Sequence, residues 1–251
     1  MPLQPNKLQL ARKLYREGVE KKDSMLIAEG YYEYGKLYTA ASDYLTAKRW
    51  FIKALRILET RGDSYELARL YVRLGDMAMT QAHYHESVRN AHHALAIAKR
   101  SHSNKALIRS FAILARIHER NWVGESPTNT GWPTSNSDSA LYYFRKVEYL
   151  AYRLNDPMEV AHVKQDIGNQ LLSRKDPRAL AYLTTALSIA NQQKQADRLP
   201  MTLSVASAYL TFDQPDRAWT YIMRAQRLYD EKYTNVYYWQ VALEHNYIFF
   251  Y

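Results

Sequence analysis

Small and bulky apolar positions recur along this chain on a fixed beat. Gly35, Gly75 and Ala115 stand 40 residues apart; Gly168 follows Ala115 by 53, and Ser207 follows Gly168 by 39. After each comes a pair of mostly small residues, always seven apart: Ala47 and Ala54, Ser87 and Ala94, Ala140 and Val147, Ala179 and Ala186, Ala218 and Ala225. The second member of each pair precedes the next small residue by 21. Seven residues make two helical turns, so each pair shares one helix face. Twenty-one residues are enough to finish that helix, turn and enter the next. Each unit is therefore predicted to be a helical hairpin, helix A then helix B. The small residues mark where two backbones approach closely. The residue between each pair (Phe51, Ala91, Phe144, Leu183, Ile222) fills the adjoining gap.

The pattern divides the 251 residues into a single repeat domain of all-α class with about twelve antiparallel helices. A half unit at 6–22 is followed by full units at about 24–60, 64–100, 104–154, 157–192 and 197–230, then a half unit at 235–251. Counting 21 onward from Ala225 reaches Asn246, the small-residue place of that last helix. Asp63-Ser64-Tyr65-Glu66 reads as a capping box. Asp156-Pro157-Met158-Glu159 supplies a cap, a proline at the first helical position and an acid in the first turn. Asp176-Pro177 and Gln214-Pro215 open two B helices in the same way.

The third unit is lengthened by a segment at 121–138 whose Gly124, Pro127, Gly131 and Pro133 give it a loop composition. It reads as a tolerated surface insertion pinned by Trp122 and Trp132; the competing reading is a lid over the repeat edge. The last half unit ends in Tyr247-Ile248-Phe249-Phe250-Tyr251, apolar where a solenoid normally carries a polar cap. A continuation into a longer protein is expected there, with self-association through the C-terminal helix as the alternative.

Tyr34-Gly35-Lys36-Leu37-Tyr38 followed by Ala47, Phe51 and Ala54 resembles the tetratricopeptide repeat, in a variant spaced by about 40 residues. Residues 28–59 fit the repeat best, although Tyr34 stands in its Leu place; later units keep the spacing and change letters, with Ala115 and Ser207 for Gly and Ala91 for the aromatic. The resemblance implies a right-handed superhelix and non-catalytic binding of a protein or peptide along the A helices. Spacing of this kind is similar to the repeat regions of bacterial sensors and regulators, where the array controls an attached output domain.

Composition narrows the chemistry. There is no cysteine, which excludes disulfides, thiolate metal sites and cysteine nucleophiles. No phosphate-binding or dinucleotide loop and no His-Glu-x-x-His zinc motif occurs, so neither catalysis nor a cofactor is expected. No run of 18 apolar residues spans a membrane, and Met1-Pro2-Leu3-Gln4-Pro5 opens no signal peptide; a cytoplasmic location is expected. The net charge of +9 lies wholly in residues 1–120, which carry 21 basic and 12 acidic groups. Six of the eight histidines lie there too: His83, His85, His92, His93, His102 and His118. Their spacing does not suit a metal, but protonation near pH 6 would add charge to a basic half.

By the resemblance, the ligand-facing wall holds Glu29, Tyr32, Glu33 and Lys36 in the first full unit and Arg69, Val72, Arg73 and Asp76 in the second. It continues with Arg109, Ala112, Ile113 and Arg116, then His162, Gln165, Asp166 and Asn169, then Met201, Ser204, Val205 and Ala208. The candidate binding residues are Tyr32, Lys36, Arg69, Arg73, Arg109, Ile113, Arg116, Gln165 and Asn169. Arginine forks suit carboxylate acceptors, so an acidic peptide is the expected ligand. The competing reading pairs these cations with Asp76, Glu33 and Glu119 on the same wall. The chaperone-tail clamp is rejected, because its places hold Tyr32, Lys36, Arg73, Arg109 and Ile113, of which only Arg109 is chemically close. Nucleic acid is disfavoured, since no basic run exceeds two residues.

Overall fold

The computed structural model describes residues 5–119, 136–193, 198–232 and 246. Eleven helices and no strand lie among them. They are α1 (Pro5–Glu20), α2 (Ser24–Ala40), α3 (Tyr44–Glu59), α4 (Tyr65–Thr80), α5 (Tyr84–Arg100) and α6 (Asn104–Glu119), then α7 (Asn136–Arg153), α8 (Pro157–Leu172), α9 (Arg178–Gln192), α10 (Leu199–Thr211) and α11 (Pro215–Lys232). The predicted twelfth helix and the Tyr/Phe end fall on 235–251, outside the described residues except for Asn246. Most of the predicted insertion, with both its tryptophans, lies outside them as well; its last three residues belong to α7. Contacts divide the chain into two compact units, Met1–Asn136 and Ser137–Tyr251. No described helix is long and apolar enough to cross a membrane.

A turn of one design joins most successive helices among the described residues, the Gly62 turn being the variant. Lys22, Ser42, Gly62, Ala82 and His102 recur every 20 residues with positive φ, and Asn155 and Lys175 repeat the interval in the second unit. The residue after the turn closes a six-residue ring back onto the helix: Asp23 N donates to Gly18 O at 2.8 Å, Asp43 N to Tyr38 O at 3.0 Å and His83 N to Ala78 O at 2.8 Å. That same residue often caps the next helix. Asp23 Oδ1 accepts from Met25 N at 2.8 Å, Asp43 Oδ1 from Thr46 N at 3.1 Å, and Asp156 Oδ1 from Met158 N and Glu159 N at 3.1 Å. Stop and start signals thus share one residue, and the chain reverses within three. Twenty residues per helix and turn produce the 40-residue beat.

Only Gly62 among these left-handed residues lacks a Cβ. Ala82, at φ 60°, meets the steric penalty of that region with no side-chain hydrogen bond to offset it. Ala82→Gly is expected to stabilise the first unit by about 0.5–1 kcal/mol, relief of strain outweighing the added freedom of the unfolded chain. A urea midpoint below that of the parent would contradict this.

The core follows the predicted register. Ala47, Phe51 and Ala54 are fully buried, as are Ala140, Phe144 and Val147, Ala179, Leu183 and Ala186, and Ala218, Ile222 and Ala225. Helix B fits against helix A because the A residue is small. A Cβ on Gly35 would run into the Phe51 ring, and one on Gly168 would lie 2.6 Å from Leu183 Cγ. In the second unit of the repeat, Ala91 replaces the bulky residue. The space beside Gly75 is taken instead by Ile113 of the next A helix, whose Cδ1 would be 2.5 Å from an added Cβ.

Candidate functional site

Side chains join successive A helices directly, and their numbers differ by one repeat. In the first unit, Arg69 of α4 pairs with Glu29 of α2. Arg73 Nε donates to Tyr32 Oη at 3.2 Å, and Arg116 of α6 pairs with Asp76 of α4 at 2.7 Å. Arg109 Nε donates to Tyr65 Oη at 3.0 Å. The separations of 40, 41, 40 and 44 residues mean that α2, α4 and α6 run parallel and present equivalent turns side by side. The repeat register itself places an Arg beside the partner one unit earlier.

The electrostatics favour the paired reading for much of this wall. Lys36 binds Glu33 at 2.7 Å, Arg69 takes Glu29, and Arg116 takes Asp76. Arg73 stands 3.8 Å from Asp76, already engaged by Arg116. Arg109 meets a phenol and no carboxylate among the described residues. Lys36, Arg69 and Arg116 thus each hold a carboxylate at close range, whereas Arg73 shares Asp76 and Arg109 meets only a phenol; Arg73 and Arg109 are both exposed. Burial works against the Arg69 charge, yet the Tyr32 phenol and the Glu29 carboxylate outweigh it and hold the guanidinium above its ordinary pKa. Arg73 is raised in the same sense, burial being overcome by Tyr32 first and then Asp76. The Arg69 guanidinium lies 4.0 Å from the centroid of the Tyr32 ring.

Several expected wall positions prove to be core. Ile113 is fully buried beside Gly75, so it offers no ligand contact; its place in the register is taken over by packing because Ala91 leaves a gap. Val72, Met201, Val205 and Ala208 are buried too. Tyr32 is buried as the floor beneath Arg69 and Arg73 rather than as an exposed anchor. Tyr65 is the residue the register did not single out; its phenol is reached by Arg109 from one repeat and one helical turn further on.

In the second unit the same geometry carries neutral groups. Gln165 Nε2 of α8 donates to Ser204 Oγ of α10 at 3.0 Å, and Ser207 Oγ donates to Asn246 Oδ1 at 2.9 Å, each 39 residues apart. Asn246 is buried. Asn169 is half-buried, and its amide has no hydrogen-bond partner among the described residues. Amides offer a donor and an acceptor together, which suits a peptide backbone.

The histidines behave less uniformly than their composition suggests. Burial pushes the His118 imidazole below its ordinary pKa, with a further push from His92. His92 is lowered by desolvation, then by His93 and Lys99. Both are therefore harder to protonate than a freely hydrated imidazole, against the added charge expected of them. No group of three metal-binding side chains lies together among the described residues.

No protein-family model matches the chain, and no curated protein does. Solved structures do. BtubC (BKLC) from P. vanneervenii superposes with a TM-score of 0.68 at 16% identity, covering 90% of this chain and 89% of that one. A Rap protein complexed with competence and sporulation factor gives 0.69 at 16%, covering 92% and 67%. A signal transduction ATPase with numerous domains from Pyrococcus horikoshii, carrying a tetratricopeptide repeat sensor, gives 0.67 at 15%; the match covers 95% of this chain and 36% of that one. The likeness is one of fold, a tetratricopeptide-like array of helical hairpins.

Proposed function

We propose that this chain is a non-catalytic scaffold that binds an acidic peptide or protein segment along the A helices of its first unit. The observation that carries the reading is that Arg73 and Arg109 are exposed and held by phenols, Arg73 sharing Asp76 with Arg116 and Arg109 meeting no carboxylate among the described residues. Lys36, Arg69 and Arg116 are already paired and act as a framework: they fix where the Arg73 and Arg109 guanidinium groups stand. In the second unit, taken by itself, Gln165 and Asn169 offer amide contacts to a peptide backbone. A regulatory role in a larger bacterial protein, in the cytoplasm, belongs to the same proposal. It is supported by likeness in fold to the repeat sensor of the signal transduction ATPase and to a Rap protein solved with a bound factor.

The test is capture of a partner from source-cell lysate, followed by titration of the purified partner against the parent and an Arg73→Glu plus Arg109→Glu variant. Each charged hydrogen bond is worth about 1.5–3 kcal/mol, so the variant is expected to bind at least tenfold more weakly with its helicity unchanged. Affinity should also fall between low and high salt. Equal affinity for both proteins would remove the wall from consideration as the binding surface.

A further inference from the structure

Helix α7 carries two seams. One is buried: Ala140, Phe144, Val147 and Ala151, spaced four, three and four. The other is exposed and has the same kind of spacing: Asp138, Tyr142, Arg145, Tyr149 and Tyr152, at intervals of four, three, four and three. Tyr142 is 56% exposed, Tyr149 61% and Tyr152 56%, placing three large rings in water on one helix face. Such a pattern is not general for this unit. The outward face of α9 presents Ala181, Thr185 and Ser188, small and neutral.

Beyond Asp138 at its start, the exposed seam carries only cations. Both carboxylates of α7 are engaged: Asp138 by Arg174 in the turn after α8, and Glu148 by Lys164 of α8, each at 2.9 Å. Arg145 and Arg153 form no ion pair among the described residues. Lys146 lies 4.7 Å from the centroid of the Tyr142 ring, and Arg153 lies 5.8 Å from that of Tyr149.

We propose that this outer seam of α7 is a docking site for an acidic amphipathic helix of a protein partner. Intervals of four and three are those at which one helix receives another, ridge into groove, and the seam is roughly 20 Å long at the helical rise. Tyrosine and arginine are the side chains that most often anchor such contacts, because they bury much area at little entropic cost. Carboxylates flanking the partner's apolar stripe find Arg145 and Arg153. A second copy of this chain is a poor occupant, since it would oppose cation to cation. Stacked nucleobases are disfavoured because cations already cover a face of the Tyr142 and Tyr149 rings. The site is independent of the A-helix wall.

The probe is a fluorescein-labelled, stapled 21-residue helix with one leucine stripe flanked by glutamates, read by anisotropy against the full chain. Versions with lysine in place of the glutamates, and an unstructured glutamate-rich peptide of equal charge, are the comparisons. The glutamate helix is expected to bind at least tenfold more tightly than either. Tyr142→Ala plus Tyr149→Ala should weaken it at least tenfold. Arg145→Glu plus Arg153→Glu should reverse the preference toward the lysine helix; these positions are exposed, and unchanged thermal melts certify the fold. Arg73→Glu plus Arg109→Glu should have no effect on this probe. Equal binding of the unstructured peptide, insensitivity to the α7 variants, or loss through the wall variants alone would each overturn the proposal.

Discussion

Phe51→Ala is expected to destabilise the first unit by about 3–5 kcal/mol, the largest effect of any single truncation considered, measured by urea unfolding. Phe51 is fully buried, flanked by Ala47 and Ala54, and its ring lies where a Cβ on Gly35 would be. No neighbour can close the void without moving a helix backbone. The companion change acts from the opposite side. Gly35→Ala overpacks the same contact and is expected to cost about 1–3 kcal/mol. Combining Gly35→Ala with Phe51→Leu, which removes the ring atoms that the new methyl meets, should cost less than the two single changes together by at least about 1 kcal/mol. Strict additivity would show that the helices are not seated on each other through this pair.

The second large effect is at the Arg69–Glu29 pair. Its side chains are 19% and 30% exposed, so removing one partner leaves the other charge in a poorly hydrated place. Arg69→Ala is expected to cost about 2–3 kcal/mol, because it also strips the cation from the Tyr32 ring. Exchanging the charges, Glu29→Arg with Arg69→Glu, should restore at least half of the summed loss from the two single replacements. An exchange as damaging as that sum would mean that Arg69 works through packing alone. The same proteins separate framework from recognition: the exchanged protein should still bind the partner that Arg73 and Arg109 hold.

Helical hairpins, their 40-residue beat and their A and B order were legible in the chain because helix–helix approach demands small residues at fixed places. Gly35, Gly75, Ala115 and Gly168 announce those places without any coordinates. The turns were less legible. Seven of the eight left-handed residues among those described, Asp213 being the eighth position, are not glycine, so the usual signal is missing, and the 20-residue interval shared by the others exposes the design. The candidate wall was legible as a set of positions but not as a set of charges. Residues 29, 69, 76 and 116 belong to the expected wall, yet which cation meets which carboxylate depends on side chains one repeat apart.

What the sequence determined by itself is periodic: where helices begin, which faces bury, and that the basic excess belongs to the first 120 residues. These follow from local chemistry repeated at a fixed interval. Tertiary structure decided what the interval cannot encode. Ala91 shortens one side chain, and Ile113 moves from wall to core to fill the space. Glu29 holds Arg69 and Asp76 holds Arg116, so that Arg73 only shares Asp76 and Arg109 meets a phenol. Asp138 turns to Arg174 and Glu148 to Lys164, so the cations Arg145 and Arg153 beside the α7 tyrosines are left without a carboxylate of their own helix. Each outcome is set by volume or charge meeting across helices, and neither is a property of any single stretch of chain.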